Sequence, residues 1–154
     1  MKNSIILSIL LLFLAGTSAF AQFFNSSHVP EGIKEKLKTQ FPHARRLEWT
    51  KEADAFQAAF NSHHKRIYVL YSADGNEIAQ ITEIHKAKLP HNIRKTLRKN
   101  YNTFNLVGAN VIQTGNEKGF EAEVVKAEEA YNLMFNERGW LMSVEPVEAP
   151  ADER

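Results

Sequence analysis

The sequence predicts an α+β fold: a tandem repeat of one helix plus about four antiparallel strands, joined in a continuous curved sheet with both helices on one face. Three observations carry this expectation. A pattern of apolar residues and turn signals recurs about 60 residues further along the chain. In each half the apolar period changes once, from about four to two. Finally, about 60 residues bury too little apolar surface to stand alone, so the halves are expected to share one sheet and layer their helices on it.

The elements follow in order. Val29-Pro30 precedes Ile33, Leu37 and Phe41, which are spaced to fall on one helical face. Proline suits a helix start, where its missing N–H would be unpaired anyway. Phe41-Pro42 closes the helix, because proline disfavours α geometry in the residue before it. Strands are then expected around Leu47 and Trp49, over Phe56–Phe60, over Ile67–Tyr71 and, after the Asp74-Gly75 turn, over Ile78–Ile84. The second half repeats the order. Leu89-Pro90 leads Ile93, Leu97 and Tyr101, and strands follow at Val107–Ile112, Phe120–Val124, Tyr131–Phe135 and Trp140–Val144. The expected boundaries are a first repeat over 29–84, a linker over 85–88 and a second repeat over 89–145.

The ends read differently. Lys2, the apolar run from Ile5 to Leu14 and Ala19-Phe20-Ala21 form the n-region, h-region and cleavage pattern of a secretory signal peptide over 1–21. A flexible start is expected over 22–28 and a flexible acidic tail over 146–154. The mature chain is therefore expected to be exported, periplasmic or at the cell surface or secreted, with no membrane span after signal cleavage. Lys2 is the one charge lost, so 19 Lys+Arg against 18 Asp+Glu becomes an even balance, which gives no case for nucleic acid. Zero cysteines exclude disulfides, thiol nucleophiles and cysteine-based metal sites.

The residues Val29-Pro30, Ile33, Leu37, Phe41-Pro42, Ala44, Trp49, Phe56, Tyr68 and Asp74-Gly75, echoed by Leu89-Pro90, Ile93, Leu97, Tyr101 and Gly139, resemble the pattern of the PepSY-like, β-lactamase-inhibitor-like exported proteins of Bacteroidetes. The resemblance covers residues 28–145. It implies a helix-plus-sheet fold with a concave sheet surface that binds or inhibits other proteins. In the resembled inhibitors a hairpin loop carries an acidic residue into the enzyme cleft. The matching loop here, Asn61 to Lys65, has no acid, so that role is not carried over. The second half also lacks a tryptophan matching Trp49, and Arg138 stands where the pattern has aspartate before glycine.

No nucleophile elbow, zinc-helix, P-loop or dinucleotide fingerprint is present, so the chain is not expected to be an enzyme and no cofactor is called for. His63-His64 reads as a hairpin tip, since neighbouring residues there point apart. Lys86, Lys88, Arg94, Lys95, Arg98 and Lys99 read as the solvated side of the second helix, with an acidic partner or anionic surface as the competing reading. Alternation puts Phe56, Ala58, Phe60, Val69 and Tyr71, and Phe120, Ala122, Val124, Leu133 and Phe135, towards the helices. It leaves Gln57, Tyr68, Leu70, Glu121, Glu123, Asn132 and Met134 on the open face as candidate binding residues, with Tyr68, Leu70 and Met134 as exposed apolar anchors. The expected function is non-enzymatic binding, and possible inhibition or regulation, of an unidentified envelope or secreted protein or peptide. The alternative is a periplasmic small-ligand or metal-binding sensor.

Overall fold

A computed structural model of the protein describes residues 28–147. The expected signal peptide, nearly all of the expected flexible start and the tail beyond Val147 lie outside these residues. Within them the elements run α1 (Glu31–Gln40), β1 (Arg45–Glu52), β2 (Ala55–Ser62), β3 (Lys65–Ser72), β4 (Glu77–Glu83), a 3-10 turn (Lys86–Lys88), α2 (His91–Asn100), β5 (Asn105–Thr114), β6 (Glu117–Lys126), β7 (Glu129–Asn136) and β8 (Leu141–Val147). β8 thus runs into the first residues of the expected tail.

The strands form one eight-stranded antiparallel sheet in the order β1-β2-β3-β4-β5-β6-β7-β8. This overturns the expected α+β fold built as a tandem repeat of one helix plus four strands. The chain is mostly β, and its two α-helices among the described residues are ten residues each. Hydrogen bonding, rather than the recurring sequence pattern, decides where a sheet ends. Only β1 and β8 terminate it.

By internal contacts the chain resolves into two compact units, each described separately. The first holds residues up to Thr82 together with Gln113–Asn116; the second holds Glu83–Ile112 and the chain from Glu117.

In the first unit, Pro30 sets up the helix start and its carbonyl accepts from the Ile33 and Lys34 N–H groups. At the other end the Phe41 N–H donates to the Leu37 carbonyl at 2.7 Å. Ile33 and Leu37, each 2 % exposed, pack with Trp49, Phe56, Ala58, Phe60, Ile67, Val69 and Tyr71 as one core. Phe41 adds a tilted ring contact to Phe60, centroids 4.8 Å apart. The Tyr71 hydroxyl is buried in this core without a hydrogen-bond partner. The hairpin β2–β3 pairs Ser62 with Lys65 across His63 and His64, whose φ values of 50° and 62° are left-handed. Two-residue hairpins need that hand to match strand twist, which is why both histidines adopt it without a glycine.

The second unit uses the same local physics. The Arg94 N–H donates to the Pro90 carbonyl and the Tyr101 N–H to the Leu97 carbonyl. Ile93 and Leu97 pack with Leu89, Ala109, Phe120, Ala122, Val124, Leu133 and Phe135. The β7–β8 turn is tied to α2. Asn92 donates through Nδ2 to the Arg138 carbonyl and accepts from the Ile93 N–H at 3.0 Å through Oδ1.

Gly139 makes this tie possible. Its φ is +77°, and a Cβ there would collide with the Asn92 amide. Gly75 in the first unit shares the backbone hand (φ +83°), but its Cβ would only touch Ile33 at an ordinary 3.6 Å. Gly75→Ala is therefore expected to cost about 1 kcal/mol through backbone conformation alone. Gly139→Ala adds displacement of Asn92 and should cost roughly 2–3 kcal/mol. Urea unfolding of the two variants checks the order; equal losses would remove the Asn92 explanation.

Candidate functional site

Residues directly opposite on neighbouring strands share a sheet face, so the register assigns each side chain. In the second unit, Glu121 pairs with Met134 and Met134 with Ser143, while Glu123 pairs with Asn132 and Asn132 with Glu145. These residues alternate with the core set Phe120, Ala122, Val124, Leu133 and Phe135, so they occupy the face turned away from α2. β5 completes it: Asn110 hydrogen-bonds Glu121, and Gly108 lies so close to Glu123 that a Cβ would stand 2.9 Å from its Oε2.

The result is three carboxyl groups in two adjoining cross-strand rows. The ion pairs among the described residues are Lys34–Glu31 and Arg66–Glu48, so no described cation pairs with this group. Glu121 is 9 % exposed. Desolvation, then the neighbouring charges of Glu123 and Glu145, push its carboxyl up from 4.5 to about 7, with the Asn110 hydrogen bond pulling weakly the other way. Asn132 Oδ1 and Ser143 Oγ are buried here without hydrogen-bond partners. A buried acceptor left unpaired costs about 1–3 kcal/mol, so this face is chemically unsatisfied at both positions. It can accept hydrogen bonds and positive charge, and Glu121 can hold a proton near neutrality.

The sequence-predicted residues thus separate into two groups. Glu121, Glu123, Asn132 and Met134 come together in the second unit. Gln57, Tyr68 and Leu70 share the corresponding face of the first, where Gln57 pairs with Leu70 and Tyr68 with Ala59. Leu70 is 1 % exposed and packs with Ala55, Ala79 and Ile78; Met134 is 3 % exposed. Neither is the exposed apolar anchor that alternation alone implied. Tyr68 is half-buried, with Arg66 stacked 5.6 Å from its ring centre. Sequence reasoning missed Asn110, Ser143 and Glu145. Ser143 and Glu145 alternate in the last strand, and Gly108 inside a strand is a signal of close approach, so both were readable in principle.

The histidines do not converge on a metal site. His43 and His63 meet edge to face at 5.7 Å, but among the described residues no group of three His, Asp or Glu side chains is arranged to hold a metal ion. No helix among them is long and apolar enough to cross a membrane.

With the face described, known proteins can be compared. No family model matches the chain, and no curated protein matches it. Solved structures do share its fold. A provisionally periplasmic protein of Bacteroides eggerthii superposes with a TM-score of 0.74 at 14% identity, covering 81% of this chain and 94% of its own. A DUF2874 family protein of Bacteroides uniformis gives 0.71 at 16% identity, with 76% and 88% covered. A BLIP-like protein of Bacteroides fragilis gives 0.67 at 21% identity, with 81% and 91% covered. At these identities the likeness is one of fold.

Burial of Glu121 has a thermodynamic sign. A carboxyl whose folded-state value is raised binds its proton more tightly when folded. Its stabilising contribution is complete below 4.5 and is lost as pH rises to about 7. The loss amounts to roughly 3 kcal/mol. Glu121→Gln keeps shape and polarity without the titration. The variant should gain stability over the natural protein as pH rises from 4.5 to 7.5, by up to roughly 3 kcal/mol in urea unfolding. A stability difference that stays flat across that range would contradict the raised value.

Proposed function

We propose that the mature chain is an exported, non-enzymatic binding protein that engages, and thereby inhibits or regulates, another envelope or secreted protein or peptide through the open sheet face. The observation that carries this reading is the unsatisfied face of β6–β8. Among the described residues, Glu121, Glu123 and Glu145 have no paired cation, and Asn132 Oδ1 and Ser143 Oγ have no donor. A partner that brings lysine or arginine side chains and N–H groups would satisfy both deficits at once.

Three further points support it. The signal-peptide pattern over 1–21 favours export. Proteins of the same fold include one provisionally placed in the periplasm and one BLIP-like protein. We place the chain with that BLIP-like group on fold together with the motif resemblance; the PepSY-like part of the resemblance rests on sequence motifs alone. The unpaired acceptors of this face call for donors and cations of the kind a protein or peptide partner carries.

Site-specific photo-crosslinking in the native envelope tests the face directly. A photoreactive residue at Glu123 or Asn132 is expected to yield a discrete adduct with another protein, and one at Lys95 on α2 is not. Adducts from Lys95 alone, or none from either open-face position, would contradict the reading.

A further inference from the structure

The end of the sheet carries a second feature. β8 is the terminal strand, so its outer backbone N–H and C=O groups have no strand partner among the described residues. Among the described residues six large apolar side chains are exposed, and four of them are Trp140 (69 %), Leu141, Met142 and Val144. Natural edge strands are usually blunted with charge or shortened, not lined with apolar side chains. The register shows how the chemistry divides. Leu141 and Val144 pair with Phe135 and Leu133 and so lie on the core side of β8, whereas Ser143 and Glu145 lie on the carboxyl side.

We propose that β8 is a strand-addition site for an extended segment of another protein in which cationic residues alternate with apolar ones. The segment would hydrogen-bond to the outer edge of β8, set a lysine or arginine opposite Glu145 and lay its apolar side chains beside Leu141 and Val144. A side chain on an added strand stands about 5 Å from the residue opposite, within reach of a lysine. Glu123 lies two strands further in than Glu145, about 15 Å from such a side chain and beyond one Debye length, so Glu145 is the carboxyl that pairs with it. Pro146 has no N–H to give, so the added ladder ends there and spans Leu141–Glu145. A second copy of this chain is the poorer occupant. β8 contains no cation, and self-pairing would set one acidic row beside another.

The inference rests on the open-face reading above and gives it a partner class and a docking edge. The test uses the isotope-labelled mature chain and a seven-residue peptide alternating lysine and valine, followed by amide NMR. The expected result is saturable binding with shifts concentrated at Leu141–Val147. N-methylation along one edge of the peptide should weaken binding at least about tenfold, while methylation along the other edge leaves it unchanged. An alternating glutamate–valine peptide should bind at least about tenfold more weakly. Shifts confined to other strands, or equal tolerance of methylation on both edges, would overturn strand addition and leave open-face binding standing. No binding of the lysine–valine peptide, alongside crosslinks from Glu123 and Asn132, would have the same meaning. No binding and no such crosslinks would remove both readings. Concentration-dependent broadening of β8 without peptide would assign the edge to a second copy instead.

Discussion

A strand has two faces, and a ten-residue helix covers only one. Everything distinctive here follows from how the uncovered face is treated. In the first unit it is closed with small and aliphatic side chains: Ala55, Leu70, Ala79 and Ile81 are all buried. In the second, that face carries Glu121, Glu123, Asn132, Ser143 and Glu145 around Met134. The helix-covered faces use the same solution in both units, a core of aromatic and branched residues seated against two helical residues one turn apart.

That asymmetry has an electrostatic consequence. Bringing Glu121 to 9 % exposure beside Glu123, with Glu145 in the next row, is costly unless something positive arrives or a proton is kept. Within the second unit Arg94, Lys95, Arg98 and Lys99 are exposed on α2, and Lys118 and Lys126 of β6 lie over the Phe120 and Phe104 rings of the helix-covered side. Among the described residues, none of these cations pairs with the carboxyl face. A cationic partner and a retained proton are alternative remedies for the same deficit. This is the physical link between the pH dependence of stability and the proposed binding.

Much of the local structure was legible in the sequence. Pro30 and Pro90 announce helix starts because of what proline lacks, and period-two alternation announces strands and their faces. The architecture was less legible. Recurrence of a pattern suggested a tandem α+β repeat, whereas strand hydrogen bonding makes one predominantly β sheet of eight strands. Alternation gave the facing of Glu121, Glu123, Asn132 and Met134 but not their depth. Burial of Met134 and Leu70 depends on side chains from neighbouring strands, which one strand's sequence does not contain. From sequence, the second repeat is expected to end at Glu145 and the tail to start at the proline that follows it. Proline is tolerated at a sheet edge, and β8 continues through it to Val147.

The central claim is that the open face of the second unit is a buried, uncompensated carboxyl site. Its most direct test is carbon-detected NMR titration of the Glu121 side-chain carboxyl in the folded protein. The account predicts a midpoint near 7, moved downward when a cationic peptide is bound. A midpoint at the ordinary glutamate value of 4.5, unmoved by the peptide, would contradict it.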